Sequence, residues 1–81
     1  MSQIIITNTS RNIVLSRQDA IALELKLNVS SKGHELKDIG DILFNFGSSR
    51  TDESVYTVNN YVYEFLEKLM NHKTWQDCRG L

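Results

Sequence analysis

The sequence is poor in cysteine and in long apolar runs, and both shortages narrow the class of protein. Cys78 is the single cysteine among 81 residues, so no disulfide can form within the chain, and a lone thiol suits a reducing compartment. No apolar run approaches the roughly 20 residues that cross a bilayer. The chain also does not open with the basic region and apolar core of a secretory signal. These absences predict a cytoplasmic protein with no direct membrane insertion.

An excess of charge of one sign is also lacking. Nine basic residues stand against ten acidic residues, and neither sign is collected into a block. A long basic run would indicate a nucleic-acid binder, and a polybasic amphipathic segment would indicate a membrane-surface protein. The sequence has neither, so nucleic acid is not the expected partner.

Sequence motifs that carry chemistry are absent as well. The chain has no glycine-rich phosphate-binding loop and no nucleophile elbow. One cysteine and two histidines are too few for the usual four-ligand zinc site. His34 and Glu35 are adjacent, so on a helix they would not share a face. Cys78 lies near the chain end without a positioned base. We predict no catalytic residue, no metal site and no cofactor.

The strongest pattern in the sequence lies in residues 51–73. Apolar side chains recur there at intervals of three and four residues, which keeps them on one face of an α-helix. This spacing predicts a helix over about residues 52–73. The apolar face would serve either as a core stripe or as a self-association seam. Its members are Val55, Val58, Val62, Phe65 and Leu69.

A ridge of aromatic residues and methionine is expected beside that stripe. Tyr56, Tyr63 and Met70 recur every seven residues. Either they flank the domain's own core with hydroxyls toward water, or they form a partner surface, because such residues are enriched in protein interfaces. Trp75 follows in the tail, either folded back on the core or exposed as an anchor for a partner. We take all four as the candidate partner-binding residues.

The N-terminal part of the chain predicts a strand or a hairpin. Residues 3–7 are short and rich in β-branched side chains, which favours a strand. Residues 8–12 contain turn-forming side chains, and residues 13–15 would return as a second strand. The alternative is that these runs pair with another chain, which exposed edge strands invite.

Residues 16–30 carry conflicting signals. Ser16 followed by Asp19 resembles a capping box, and the alanines and leucines favour a helix over about residues 17–28. Apolar and polar residues alternate over residues 21–29, which is strand periodicity instead. We favour the helix, although its apolar residues would spread around most of its circumference and would require burial on several sides. The strand alternative would give a small sheet covered by helices.

The remaining segments complete a small α+β fold. A loop at residues 30–33 precedes spacing that predicts a helix over about residues 35–46, with Gly47 placed to end it. Gly40 within this helix indicates close approach by another helix. We expect a single domain over residues 1–81, mainly α with a short N-terminal strand or hairpin. Its three helices would lie at about residues 17–28, 35–46 and 52–73, followed by a partly ordered tail at residues 74–81.

Two functional classes fit these predictions. The first is a small non-enzymatic regulatory protein that acts by protein–protein binding, as a homo-oligomer joined through the 51–73 helix and the N-terminal strand. The alternative is a DNA-binding protein of the helix-turn-helix or ribbon-helix-helix type. Lys37 is the only basic residue of the helix that would enter the DNA groove. Glu35, Asp38 and Asp41 on the same helix oppose its approach to phosphate. We therefore favour protein binding.

The opening MSQIIITNTSRN, the short length and the lack of motifs together give one resemblance. The chain resembles the small accessory proteins of T-even-like phages, and among them the cytoplasmic lysis-inhibition factors of the antiholin type. This resemblance implies a protein that binds the cytoplasmic part of a holin and delays lysis. Phage inhibitors of host or defence proteins share the same general features. The resemblance carries over no functional residue.

Overall fold

A computed structural model describes residues 2–81 of the chain. In chain order the elements are β1 (Ile4–Thr7), β2 (Asn12–Leu15), α1 (Arg17–Val29), α2 (Lys37–Gly47), β3 (Val55–Thr57), α3 (Asn60–Met70) and a short 3₁₀ helix (Trp75–Cys78). The small α+β class with three helices is confirmed, although the strands are not only N-terminal. Within residues 2–81, no helix is both long enough and apolar enough to cross a membrane.

The three strands form one sheet in the order β2-β1-β3. β1 and β2 pair as the predicted antiparallel hairpin, with Ile5 opposite Val14. The turn between them depends on Asn8, whose Oδ1 accepts hydrogen bonds from the backbone N–H groups of Ser10 and Arg11 at 3.0 and 2.7 Å. Because β1 is the central strand, both of its edges are paired within the chain.

The predicted helix over residues 52–73 is wrong for its first part. Residues 55–57 form β3, which lies parallel to β1 with Val55 beside Ile5. The pairing begins where the Ile5 N–H donates to the Ser54 carbonyl at 2.7 Å. β-branched and aromatic side chains favour strands, and the free edge of β1 supplies the hydrogen bonds that turn this preference into a strand.

The last helix begins only after this strand. Asn59 has extended backbone, and its Oδ1 accepts a hydrogen bond from the Val62 N–H at 2.8 Å. This is an N-cap, which satisfies one of the free amides of the first helical turn. α3 then ends at Met70, three residues before the predicted end.

The helices cover one face of the sheet. Alternate strand residues are buried toward them, as the two-residue period of a strand requires; these are Ile4, Ile6, Ile13 and Leu15. α1 lies in the middle of the helical layer, with α2 on one side and α3 with the 3₁₀ helix on the other. A single core joins the sheet to all three helices.

The helix favoured for residues 16–30 is confirmed. Ser16 Oγ accepts from the Asp19 N–H at 3.1 Å, and Asp19 Oδ2 accepts from the Ser16 N–H at 3.4 Å. The two bonds complete the capping box predicted from the sequence. Ala20, Leu23 and Leu27 form the buried face at helical spacing, so the apparent strand alternation does not decide the conformation.

Glycines mark the close contacts between α1 and the segment around α2. A Cβ atom added at Gly33 would lie 2.7 Å from the Leu27 carbonyl oxygen, and one at Gly47 would lie 2.6 Å from Cγ1 of Ile21. The close approach expected at Gly40 is looser, because its nearest neighbours would be 3.8 Å away. α2 spans Lys37–Gly47, so it begins two residues after the predicted start and includes Gly47 as its last residue. The left-handed residue after the helix is Ser49, with φ of 60°, and not the glycine.

The C-terminal tail packs on the body of the domain. Cys78 is fully buried, and the Leu81 carbonyl accepts a hydrogen bond from the Ser31 N–H at 3.1 Å. The tail therefore closes over the loop between α1 and α2. Trp75 begins the 3₁₀ helix of this tail and stays partly exposed.

Candidate functional site

The sequence offered few residues for metal binding, and the described part of the chain holds no cluster of metal-ligating side chains. Over residues 2–81, no three His, Cys, Asp or Glu side chains lie close enough to hold a metal ion. The fully buried side-chain nitrogen and oxygen atoms of the same residues all have hydrogen-bond partners. The accessible features of the molecule are surface depressions and exposed apolar side chains.

Cys78 is held as a buried structural thiol. Its Sγ lies 3.8 Å from the Leu69 carbonyl oxygen and 3.7 Å from that of Thr74. Burial raises the pKa of the Cys78 thiol, Lys26 acts in the opposite direction, and the Asp77 carboxylate adds to the rise. A neutral buried thiol is a poor nucleophile, so Cys78 serves to fix the 3₁₀ helix against α3.

The proposed ridge of Tyr56, Tyr63 and Met70 does not form. Tyr56 lies in β3 on the side that faces the helices and is half-buried. Tyr63 is 2% exposed, and the guanidinium carbon of Arg11 lies 4.8 Å from its ring centre. Met70 and Trp75 remain accessible, at 38% and 39% exposure. The four residues therefore divide between the core and the surface.

The stripe from Val55 to Leu69 is divided in the same way. Phe65 and Leu69 are buried in the core, and Val58 and Val62 pack partly against it. Val55 is 53% exposed, because β3 turns it to the outer face of the sheet. One helical seam over all five residues therefore does not exist, and self-association through it loses its geometric basis.

Met70 and Trp75 meet residues of α1 along a shallow groove. One depression, of about 410 Å³, is lined by Ala22, Leu25, Lys26, Lys73, Thr74, Trp75 and Gln76. A smaller one, of about 180 Å³, is lined by Asp19, Ala22, Leu23, Lys26 and Met70. The two depressions share Ala22 and Lys26, so they form one continuous surface, which we call the α1 groove.

The fold positions each wall of the α1 groove. The inner face of α1 is committed to the core, so Ala22 and Leu25 point outward, and Leu25 is 47% exposed. On the opposite wall, burial of Cys78 anchors the 3₁₀ helix that carries Trp75. Lys26 Nζ donates to the His72 carbonyl at 2.6 Å and ties the two walls together. The groove is therefore preformed.

The electrostatics of the α1 groove are mostly cationic. Lys26 and Lys73 line it, and the guanidinium carbon of Arg79 lies 5.4 Å from the Trp75 ring centre. Within residues 2–81 the ion pairs closer than 4.0 Å are Arg11–Glu67 and Arg17–Asp52, both elsewhere. Asp19 is the carboxylate that lines one end.

More exposed apolar side chains lie next to the α1 groove. Ile21 is one helical turn before Leu25 on α1 and is equally exposed. It abuts Gly47 at the end of α2, and the exposed Phe44 lies one turn before that glycine, with the Arg50 guanidinium 5.3 Å from its ring centre. An apolar surface thus runs from Trp75 across α1 to α2.

The outer face of the sheet is the second uncovered surface. Val14, Ile5 and Val55 stand side by side on it, and Val14 and Val55 are exposed. Three strands of about four residues cover only about 200 Å² at usual strand spacings, against about 800 Å² per partner in a standard interface. This face alone is too small for a stable interface between proteins.

The elements that would enter a DNA groove, α2 and the strands, lack the cations of a DNA-binding face in the described part of the chain. Lys37 is the one cation of α2, as the sequence indicated. The exposed faces of the three strands, all within the described residues, carry threonine, asparagine and aliphatic side chains but no lysine or arginine. β1 is paired on both sides, so it is not free to form the intermolecular ribbon of a ribbon-helix-helix dimer.

Sequence reasoning found one wall of the α1 groove and missed the other. Residue type and seven-residue spacing indicate Met70, and residue type indicates Trp75, whereas the sequence assigns Ala22 and Leu25 to a helix buried on several sides. The available signal was the spread of apolar residues around α1, which exceeded what one core face uses.

Searches of protein-family models, of curated proteins and of solved structures found no match to this chain.

Proposed function

We propose that this chain is a small non-enzymatic regulatory protein that acts by binding another protein through the α1 groove. The observation that carries the proposal is the exposure of Leu25, Met70 and Trp75 around a preformed depression. Contiguous exposed apolar patches bordered by polar residues mark interaction sites. A tryptophan and a methionine in such a patch have the composition of an interface centre.

Rigidity of the groove supports the same proposal. Binding surfaces lose affinity when side chains and loops must be ordered on association. Lys26 fixes the turn after α3 through the His72 carbonyl, and Cys78 fixes the 3₁₀ helix. Both walls are therefore set before a partner arrives, which reduces that cost.

The resemblance to accessory proteins of T-even-like phages suggests which partners to test first. A cytoplasmic segment of a holin is one, and binding there would delay lysis. A host protein that the chain inhibits is the other. In both cases the protein would act in the cytoplasm by occupying a surface that its target needs.

Site-directed photo-crosslinking in the producing cells tests this proposal. A benzophenone amino acid replaces Leu25 in the groove, and a matched control replaces Glu64 on the exposed face of α3. We expect one discrete protein adduct from position 25 and none from position 64. The captured protein is then purified and titrated against the wild-type chain and a Met70→Gln variant.

The titration decides between specific binding and chance contact. Met70→Gln should weaken binding of the captured protein without unfolding the chain, because Met70 is an exposed residue at the end of α3. The same adducts from both positions, or equal affinity of wild type and variant, would contradict the proposal.

A further inference from the structure

We infer that the α1 groove selects an acidic amphipathic segment of its partner, with the acidic end lying against Trp75. This inference rests on the proposed function, since it names the chemistry of the partner for the same site. It depends on the distribution of charge along the groove, which is uneven from one end to the other.

The cations gather at the end formed by the tail. Lys73 and Lys26 line the larger depression together with Trp75, and Arg79 stacks over the Trp75 ring. No carboxylate lies within 4.0 Å of these three cations among residues 2–81. Lys26 already donates to the His72 carbonyl, so Lys73 and Arg79 are the cations most available to a partner. A carboxylate placed here would gain attraction and would not displace an existing ion pair.

The other end of the groove carries charges of both signs, because Lys26 and Asp19 both line the smaller depression. Asp19 lines the smaller depression beside Met70, and it caps the start of α1 through Ser16. A partner segment with a neutral or basic residue at this end and carboxylates at the Trp75 end matches the charges at both ends of the groove. Charge therefore specifies the direction of the bound segment as well as its sign.

The apolar floor specifies the rest of the segment. Ala22 is the smallest side chain of the groove and belongs to both depressions. Leu25 lines the larger depression and Met70 the smaller one, and both side chains are exposed. A bulky apolar side chain of the partner fits above Ala22, which is the arrangement of an amphipathic helix laid into a groove.

An anionic membrane surface is the competing occupant with similar chemistry. Tryptophan, leucine and lysine together are also features of interfacial membrane binding. A membrane is flat, whereas the α1 groove is a concave surface lined by α1, the end of α3 and the tail. Asp19 at one end would also face the anionic lipid. The concave shape and the mixed ends favour a protein segment.

Trp75 supplies the reporter for a test, because it is the only tryptophan of the chain. The probes are two fluorescein-labelled helical peptides with the same leucine pattern. One carries glutamates on its polar face and the other carries lysines. Vesicles of phosphatidylglycerol are the third probe. Trp75 emission and, for the peptides, fluorescence anisotropy follow binding at low and high salt.

We expect the acidic peptide to bind with a blue shift of Trp75 emission and the basic peptide to bind at least tenfold more weakly. Raising the salt should weaken the acidic peptide, since exposed charge pairs are screened. Lys73→Glu combined with Arg79→Glu should weaken it roughly tenfold or more. Lys37→Glu combined with Lys68→Glu changes the net charge equally, away from the groove, and should have little effect.

A steric variant checks the position of the peptide. Ala22 is exposed and lines both depressions, so Ala22→Phe places a bulky ring in the groove. It should abolish the emission change while circular dichroism stays unchanged. If the acidic peptide binds Ala22→Phe as well as wild type, binding is not in the groove and the inference is wrong.

Other outcomes would also overturn it, and they separate it from the proposed function. Preference for the basic peptide, equal binding of both peptides, or binding of neither contradicts the acidic selectivity. A Trp75 shift with vesicles alone assigns the surface to lipid. If either peptide result contradicts acidic selectivity, a discrete crosslink from position 25 would still support protein binding. The acidic selectivity and the proposed function can therefore fail separately.

Discussion

α1 and α3 use their apolar residues in different ways. In α3 the buried residues are Tyr63, Phe65, Leu66 and Leu69, and the exposed apolar side chains, Tyr61 and Met70, lie at its two ends. In α1 the buried residues are Ala20, Leu23 and Leu27, whereas Ile21 and Leu25 are each 47% exposed on the opposite side. The exposed apolar residues of α3 are thus confined to its ends, whereas those of α1 lie in the middle of the helix.

This difference indicates which face of the molecule is free for binding, namely the outward face of α1. An exposed leucine in an isolated position is ordinary, but Leu25 borders a groove that also holds Trp75 and Met70. We propose that the outward face of α1 serves to bind a partner. Substitutions that separate the stability of the fold from the use of this face test the comparison.

The largest effect is expected in α3. Leu66 is fully buried, and replacing it by alanine leaves a cavity. Leu66→Ala should lower the free energy of unfolding by about 2–5 kcal/mol, a large fraction of the stability of a small domain. Urea denaturation followed by circular dichroism measures it. A loss below 1 kcal/mol would mean that α3 does not hold the core as described.

The next effect compares two leucines of α1. Leu23 is 1% exposed, whereas Leu25, two residues later, is 47% exposed. Leu23→Ala should cost about 2–5 kcal/mol of unfolding free energy, and Leu25→Ala less than about 0.5 kcal/mol. Equal losses in the same urea titration would show that Leu25 is needed for the fold, and the contrast between α1 and α3 would disappear.

Two glycines provide a matched test of the packing beside α1. Gly33→Ala forces a Cβ against the Leu27 carbonyl at 2.7 Å and should cost about 1–3 kcal/mol, as overpacking does. Gly40→Ala has ordinary contact distances and should gain about 0.5–1 kcal/mol from helix propensity. Thermal unfolding shows whether each variant gains or loses stability. If both variants lose stability, the space described around Gly40 is smaller than the 3.8 Å contact distances indicate.

The N-caps of the two helices should be equivalent. Ser16 caps α1 and Asn59 caps α3, each through a side-chain oxygen that accepts from a first-turn N–H. Ser16→Ala and Asn59→Ala should each cost about 1 kcal/mol. Chemical denaturation of both variants checks this. A much larger loss at one cap would show that this side chain has a role beyond capping its helix.

The smallest effect concerns Cys78, which anchors the wall opposite α1. Burial raises the pKa of its thiol in the folded chain. The stabilisation is therefore complete below the thiol's ordinary pKa and is lost as pH rises toward the folded value. The difference in unfolding free energy between wild type and Cys78→Ala should shrink between about pH 8 and pH 10. A constant difference would mean that the thiol is not desolvated.

Short sequence motifs predicted the helix ends, because contacts between neighbouring residues determine where these helices begin and end. The Ser16–Asp19 capping box placed the start of α1, and Gly47 placed the end of α2. β3 was missed because Val55 and Val58 continue the three–four spacing of α3. Their conformation depends on pairing with β1, about fifty residues earlier in the chain. A helical period cannot reveal such a distant partner.

As with the fold, the sequence predicted some residues of the candidate site and missed others. Residue type alone singled out Met70 and Trp75, and both line the α1 groove. Residue type also singled out Tyr63, which packing buries. Leu25 could not be separated from Leu23 by sequence, because which side of α1 faces the core depends on where α2 and the tail pack.

The central claim is that the outward face of α1 serves binding and not folding. The most direct measurement is made on one variant, Leu25→Gln, with the protein captured by crosslinking from position 25. Its affinity for that partner and its free energy of unfolding are both compared with wild type. We predict at least a tenfold loss of affinity with a change in stability below about 0.5 kcal/mol. Unchanged affinity, or a loss of stability as large as that of Leu23→Ala, would contradict the account.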